Sequence, residues 1–187
     1  MPDDPKYFIA TRRLGFRRWR EADLPLALSL WGNAEVARLI GGPFTPQVVA
    51  ERLRREMELQ DSLGVQYWPI FLRAADQFAG CCGLRPYRQE NGVYEIGFHL
   101  LPAVWNKGLA QEAAGAVIDF AFRSIAANGL FAGHHPENAA SRHVLEKLGF
   151  LYTHEELYPP TARMHRCYFL PAPGRNSADT CIRGPSG

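Results

Sequence analysis

The sequence predicts a single mixed α/β domain, and three observations carry that reading. Residues 65–74, 78–86 and 93–101 read as strands joined only by Ala75-Asp76-Gln77 and Gln89-Glu90-Asn91-Gly92, and such short polar turns suit an antiparallel meander. Leu109, Ala113, Val117, Phe120 and Ile125 recur near helical spacing, while Ala110, Ala114, Ile118, Ala121 and Phe122 form a second apolar stripe, so this helix is covered on both sides. Neither the glycine fingerprint of a dinucleotide fold nor a regular parallel alternation of strand and helix is present.

In chain order, residues 11–20 alternate as a first strand with Leu14, Phe16 and Arg18 on one side. Glu21 starts a helix through Leu26, Leu28, Leu30 and Trp31, residues 36–40 continue it as a short second piece, and Gly41-Gly42-Pro43 ends the stretch. Thr45 offers a capping hydroxyl before Pro46 at a first helical position. Val49, Leu53, Met57 and Gln60 then supply an apolar stripe, and Glu51, Arg52, Arg54, Arg55, Glu56 and Glu58 read as a solvated face. After the meander come the long helix to about Asn128, a strand over 130–134, a helix opened by Asn138, and closing strands over 150–157 and 164–170. The expected organisation is an N-terminal extension over 1–10, one domain over 11–170, and a mobile tail over 171–187, where no apolar period survives.

At 187 residues, 47% of them hydrophobic and 21% charged, the chain can bury a core without disulfides or metal. A formal net charge of +2 gives no basic face for nucleic acid, and no apolar run approaches the roughly 20 residues that span a bilayer. Met1-Pro2-Asp3-Asp4-Pro5-Lys6 carries early acids with no long apolar stretch behind it, so a cytoplasmic location is expected, with no membrane partner. The four cysteines form no CxxC pair, and adjacent Cys81 and Cys82 on a strand read as reduced thiols, one of them filling the core. Histidines other than His134-His135 are scattered, and no metal is expected.

The loop Trp105-Asn106-Lys107-Gly108-Leu109-Ala110-Gln111-Glu112-Ala113 runs from the strand Tyr94-Glu95-Ile96-Gly97-Phe98-His99-Leu100-Leu101, stopped by Pro102, into the long helix. The first turn of that helix has N–H groups without intrahelical partners and the positive end of the macrodipole, so it attracts an anion such as a pyrophosphate. About thirty residues on, Asn138-Ala139-Ala140-Ser141 and Val144-Leu145-Glu146-Lys147-Leu148-Gly149-Phe150 form a second cluster. In order and spacing these pieces, with Glu95-Ile96-Gly97-Phe98, resemble the acetyl-CoA-binding core of the GNAT acetyltransferase superfamily. They most resemble its ribosomal-protein N-terminal acetyltransferase-like branch, over about residues 11 to 170.

That resemblance implies a mostly antiparallel twisted sheet flanked by helices and splayed at the acetyl-CoA site, and direct acetyl transfer to a primary amine in a ternary complex. It implies that a bulge at Gly97 opens the splay, a place where glycine often marks a bulge. The backbone of Phe98, His99, Leu100 and Leu101 would hold the pantetheine arm, with an N–H near Phe98 or His99 serving the oxyanion. Lys107, Gly108, Leu109 and Ala110 would cradle the pyrophosphate with Asn106 beside them, although the family often has glycine where Asn106 stands. Asn138 would bond the arm while capping its helix. The tyrosine that protonates the thiolate in many members is replaced by Glu146, which leaves Ser141 or a water as acid. Glu95 is the candidate base, and on a regular strand it shares a face with Gly97 and His99.

The branch implies a protein N-terminal α-amine as acceptor. A polyamine or aminoglycoside is the alternative, and a CoA-binding sensor without activity is the rival from another class. Monomer and homodimer are both compatible with the sequence.

Overall fold

The computed structural model of the chain describes residues 6–175. A hairpin of β1 (Ile9–Ala10) and β2 (Leu14–Phe16) comes first, followed by α1 (Leu24–Trp31), α2 (Ala34–Ala37) and α3 (Pro46–Leu63). The meander is β3 (Tyr67–Leu72), β4 (Gln77–Arg88) and β5 (Val93–Leu100). Then come α4 (Leu109–Arg123), β6 (Gly129–His134), α5 (Ala139–Lys147), β7 (Leu151–Tyr158) and β8 (Arg163–Pro171). The eight strands form one sheet in the order β1-β2-β3-β4-β5-β6-β8-β7, antiparallel everywhere except between β5 and β6.

Local chemistry explains most element ends. Thr45 accepts from the Val48 N–H, Pro46 opens α3, and Gly64 closes it in the left-handed region at φ 69°. The first strand is shorter than expected, because the Thr11 side chain bonds the Leu14 N–H at 2.9 Å and turns the chain there. Leu14 and Phe16 face the core as read, but Arg18 is exposed, beyond the end of β2. Of the tail expected over 171–187, residues 176–187 lie outside the described residues; Pro171 is the last residue of β8.

Two apolar layers flank the sheet. α4 covers one face with Ala113, Val117 and Ala121 against Trp68, Leu84, Ile96 and Leu130, and α5 adds Leu145. α1 and α3 cover the other with Leu30, Trp31, Val49 and Leu53 against Tyr67 and Phe71. Cys82 belongs to the first layer and Cys81 to the second, so both adjacent thiols fill core, on opposite faces of β4.

Glu56 corrects the reading of α3 as a solvated face. It is fully buried, accepts the Tyr67 N–H at 2.7 Å, and pairs with Arg85 of β4. A carboxylate on the inner side of a helix is costly unless such partners bond it. Gly97 is a second correction. β5 keeps unbroken register with β4 from Gly80↔Leu100 to Pro86↔Tyr94, so no bulge sits at Gly97. The glycine is there for space: Tyr67, Gly83 and Gly97 form one cross-strand row, and a Cβ at Gly97 would stand 2.2 Å from the Tyr67 hydroxyl oxygen.

The sheet is nevertheless splayed. β5 pairs with β6 only from Val93↔Gly129 to Glu95↔Phe131, after which β6 stays with β8 as far as His134 and the two strands part.

Candidate active site

A cleft of about 180 Å³ occupies the parting, walled by residues 95–99 of β5, residues 131–134 of β6 with His135 after it, Asn138 at the cap of α5, and Ser141 and Leu145 of α5. Leu101 donates its N–H to the Ala79 carbonyl on the β4 side. With unbroken register behind it, the antiparallel ladder turns the main-chain groups of His99, Gly97 and Glu95 toward β4 and those of Leu100, Phe98 and Ile96 toward the gap. One of the latter is occupied, since the Trp105 indole N–H donates to the Leu100 carbonyl at 2.7 Å. An open strand edge thus faces a cavity, a place where backbone normally finds a partner.

Side chains alternate correspondingly. Ile96 and Leu100 join the α4 layer, whereas Glu95, Gly97 and His99 lie on the α1/α3 side against Tyr67. The Tyr67 hydroxyl donates to Glu95 Oε1 at 3.3 Å, and Arg85 stands opposite Glu95 in the ladder with its guanidinium 4.1 Å from the Tyr67 ring centre. Burial raises the Glu95 pKa above its ordinary value, while the Arg85 charge and the Tyr67 hydrogen bond pull it back. Burial also lifts the Tyr67 pKa well above its ordinary value, so Tyr67 remains a donor. The Trp31 indole N–H donates to His99 Nδ1 at 3.2 Å, and burial with the Arg52 and Arg85 charges holds the His99 pKa well down. His99 is therefore neutral with its proton on Nε2.

Beyond the residues that line the cleft, Gly108 precedes α4 with φ 70°, Asn106 lies at φ 59°, and no side chain among the described residues caps the helix. A clasp holds this turn: Arg13 bonds Glu112 through Nε at 2.6 Å and the Lys107 carbonyl through Nη1 at 2.8 Å. Lys107 Nζ bonds the Ala103 carbonyl at 2.9 Å, which leaves the main-chain N–H groups at the start of α4 as the exposed donors. Asn138 caps α5 by accepting the Ser141 N–H at 3.0 Å, and the Ser141 hydroxyl has no protein partner among the described residues. An uncapped helix start and an open strand edge are the two donor sets that a pyrophosphate and an amide-bearing arm require, so these residues fit the cofactor that the sequence implies.

The fold brings Glu95, Phe98, His99, Asn138 and Ser141 around one cleft. Sequence reading did not find Tyr67, Arg85 and Arg52, which line the same cleft from the α1/α3 side; Tyr158 and His165 of the β7–β8 hairpin, within the stretch 152–166 that the sequence offers for specificity without a decisive motif, line it too. Burial, with His135 and His134 nearby, lowers the His165 pKa to about 4, so this imidazole is neutral. His154, Glu156 and Cys167, scattered in sequence, have ligand atoms within 4.8 Å of one another, but the Cys167 thiol, its pKa raised to about 12 by burial, donates to the His165 carbonyl.

The family model described as an acetyltransferase (GNAT) domain matches residues 13–151. An uncharacterised N-acetyltransferase of Bacillus licheniformis, p20, is 31% identical over 146 residues, 76% of this chain and 81% of its own length. A GNAT-family acetyltransferase crystal structure from Bacillus anthracis superposes with a TM-score of 0.73 at 25% identity, covering 86% of this chain and 95% of that one. A ribosomal L7/L12 α-N-protein acetyltransferase in complex with coenzyme A shares the fold with a TM-score of 0.76 at 15% identity, covering 87% and 96%.

Proposed function

Because the chain belongs to the GNAT acetyltransferase family and is an N-acetyltransferase, we propose that it takes the acetyl group from acetyl-CoA and that its acceptor is the α-amine of a protein N-terminus. The supporting observation is the parting of β5 from β6, which gathers an open strand edge, the capped start of α5 and a buried carboxylate in one cleft. Acetyl-CoA, when bound, supplies an activated acetyl thioester. The N–H groups of Gly108, Leu109 and Ala110, beside Asn106 and Lys107, hold the pyrophosphate, and the gap-facing main chain of Phe98 and Leu100 holds the arm, with Asn138 at its side. His99 and Leu101 frame that edge, but their N–H groups serve the β4 ladder. The Phe98 N–H is thereby the donor for the oxyanion.

Glu95 takes the proton of the amine, directly or through one water. An α-amine with pKa near 8 is roughly a tenth neutral at pH 7, so a carboxylate suffices, whereas a lysine amine near 10.4 is neutral in less than one part in a thousand. The Tyr67 hydroxyl holds that carboxylate by a hydrogen bond. Ser141, one turn into α5, is the proton donor on the opposite wall. Thiol release from acetyl-CoA, measured against N-terminal peptides, polyamines and aminoglycosides, tests the reading. Turnover is expected with peptides; turnover only with polyamines or aminoglycosides would replace the acceptor, and tight CoA binding with no turnover on any amine would make the protein a sensor.

A further inference from the structure

Resting on that reading of the cleft, we propose that Arg52 recognises an anionic group on the acceptor, so that the preferred acceptor is a peptide α-amine with an aspartate or glutamate side chain among its first residues. Arg52 projects from α3 into the cleft wall formed with Tyr67, His99 and Glu95, the side opposite α4 and α5. Its guanidinium lies 4.5 Å from the Trp31 ring centre and 5.7 Å from that of Phe44. Stacking uses the face of the guanidinium and leaves its in-plane N–H groups for an acceptor. None is present: among the described residues Arg52 has no ion pair or hydrogen bond, and its Nε is buried without a partner.

The neighbouring cations show what is missing. Arg17 bonds both oxygens of Asp23, and Arg85 pairs with Glu56. Glu56 is committed to Arg85 and the Tyr67 N–H, and Glu95 to the Tyr67 hydroxyl. Burial and the Arg85 charge disfavour the Arg52 cation and the Glu56 charge favours it, but Glu56 makes no hydrogen bond to Arg52, and a guanidinium keeps its proton. The site therefore holds a guanidinium whose donors are unmet beside the position of the acceptor amine. One planar fork matches one carboxylate, and the acids Glu95 and Glu156 on the same cleft repel a dianionic phosphate.

The test uses tripeptide amides with Asp or Glu at position one, two or three, each matched with its Asn or Gln counterpart. Wild-type kcat/KM is expected to favour the best acidic peptide over its amide partner about tenfold to a hundredfold, the size of one buried charge-assisted hydrogen bond. Arg52→Met should bring the two together, and Arg52→Lys should keep part of the preference. Acetyl-CoA affinity by calorimetry checks that each variant is folded. Equal wild-type rates for every pair, or a preference that survives Arg52→Met, overturn the proposal while leaving acetyl transfer intact. Calorimetry of the same peptides on CoA-saturated protein needs no turnover. An acid preference in binding that Arg52→Met abolishes, without acetylation, supports Arg52 and removes the transferase reading; no binding by any peptide overturns the proposal.

Discussion

At the scale of single residues, Glu95 is the proposed base. Its raised pKa means that the folded chain binds this proton more tightly than the unfolded chain, so stability falls as pH rises from the ordinary carboxylate value through the raised one, and the penalty is full above both. Glu95→Gln should therefore leave thermal stability at pH 7 unchanged or higher. Were Glu95 merely half of an ion pair, the same change would lower it, but Arg85 is paired with Glu56. Activity should behave in the opposite way. Loss of the base is expected to lower turnover about 10²- to 10⁴-fold near pH 7, with partial rescue toward pH 9 as the α-amine deprotonates by itself. Matching pH-rate profiles of the two proteins would remove Glu95 from the mechanism.

At the scale of elements, the start of α4 is the proposed seat of the pyrophosphate. Gly108 sits at φ 70°, so a β-branched side chain there costs about 1 to 3 kcal/mol of backbone strain and also stands over the uncapped N–H groups. Gly64 ends α3 at φ 69° with open space where a Cβ would stand, and carries the same strain away from the cleft. Gly108→Val and Gly64→Val are expected to lose similar stability in urea, while only Gly108→Val weakens acetyl-CoA binding by calorimetry. Equal affinities would move the pyrophosphate elsewhere.

The elements themselves were legible, because turn residues, caps and apolar periods act within a few positions: Thr45-Pro46, Gly108 and Asn138 each announce a helix start locally. What was not legible depends on neighbours distant in sequence. A glycine in a strand says that something comes close, not what, and only the row Tyr67–Gly83–Gly97 shows that an aromatic ring two strands away needs the space. Glu56 reads as solvated beside Arg54, Arg55 and Glu58 until Arg85 and the start of β3 arrive to bury it. The acceptor wall escaped the sequence for the same reason: Arg52, Tyr67 and Arg85 come from three elements and form no motif.

At the scale of the whole molecule, the splay divides the cleft into two environments that the two core layers continue. α5 lines one side with Asn138, Ser141 and Leu145, and α3, β3 and the β7–β8 hairpin supply rings, imidazole and charged groups on the other, while the uncapped start of α4 lies outside the residues that line the cleft. Between them runs the edge of β5, whose main chain alternates between the two neighbours. This alternation predicts an amide-by-amide pattern of hydrogen exchange. In the free protein the N–H groups of Phe98 and Leu100 point into the gap and should exchange faster than those of Gly97 and His99, which the β4 ladder holds. Bound coenzyme A should slow Phe98 and Leu100 and leave Gly97 and His99 nearly unchanged, because the arm completes the open side of one strand only. Gly108→Val, with the pyrophosphate cradle obstructed, should require more coenzyme A for the same protection. Uniform protection along residues 96–100 would instead indicate general stiffening of the sheet, and no change at Phe98 and Leu100 would place the arm outside the splay.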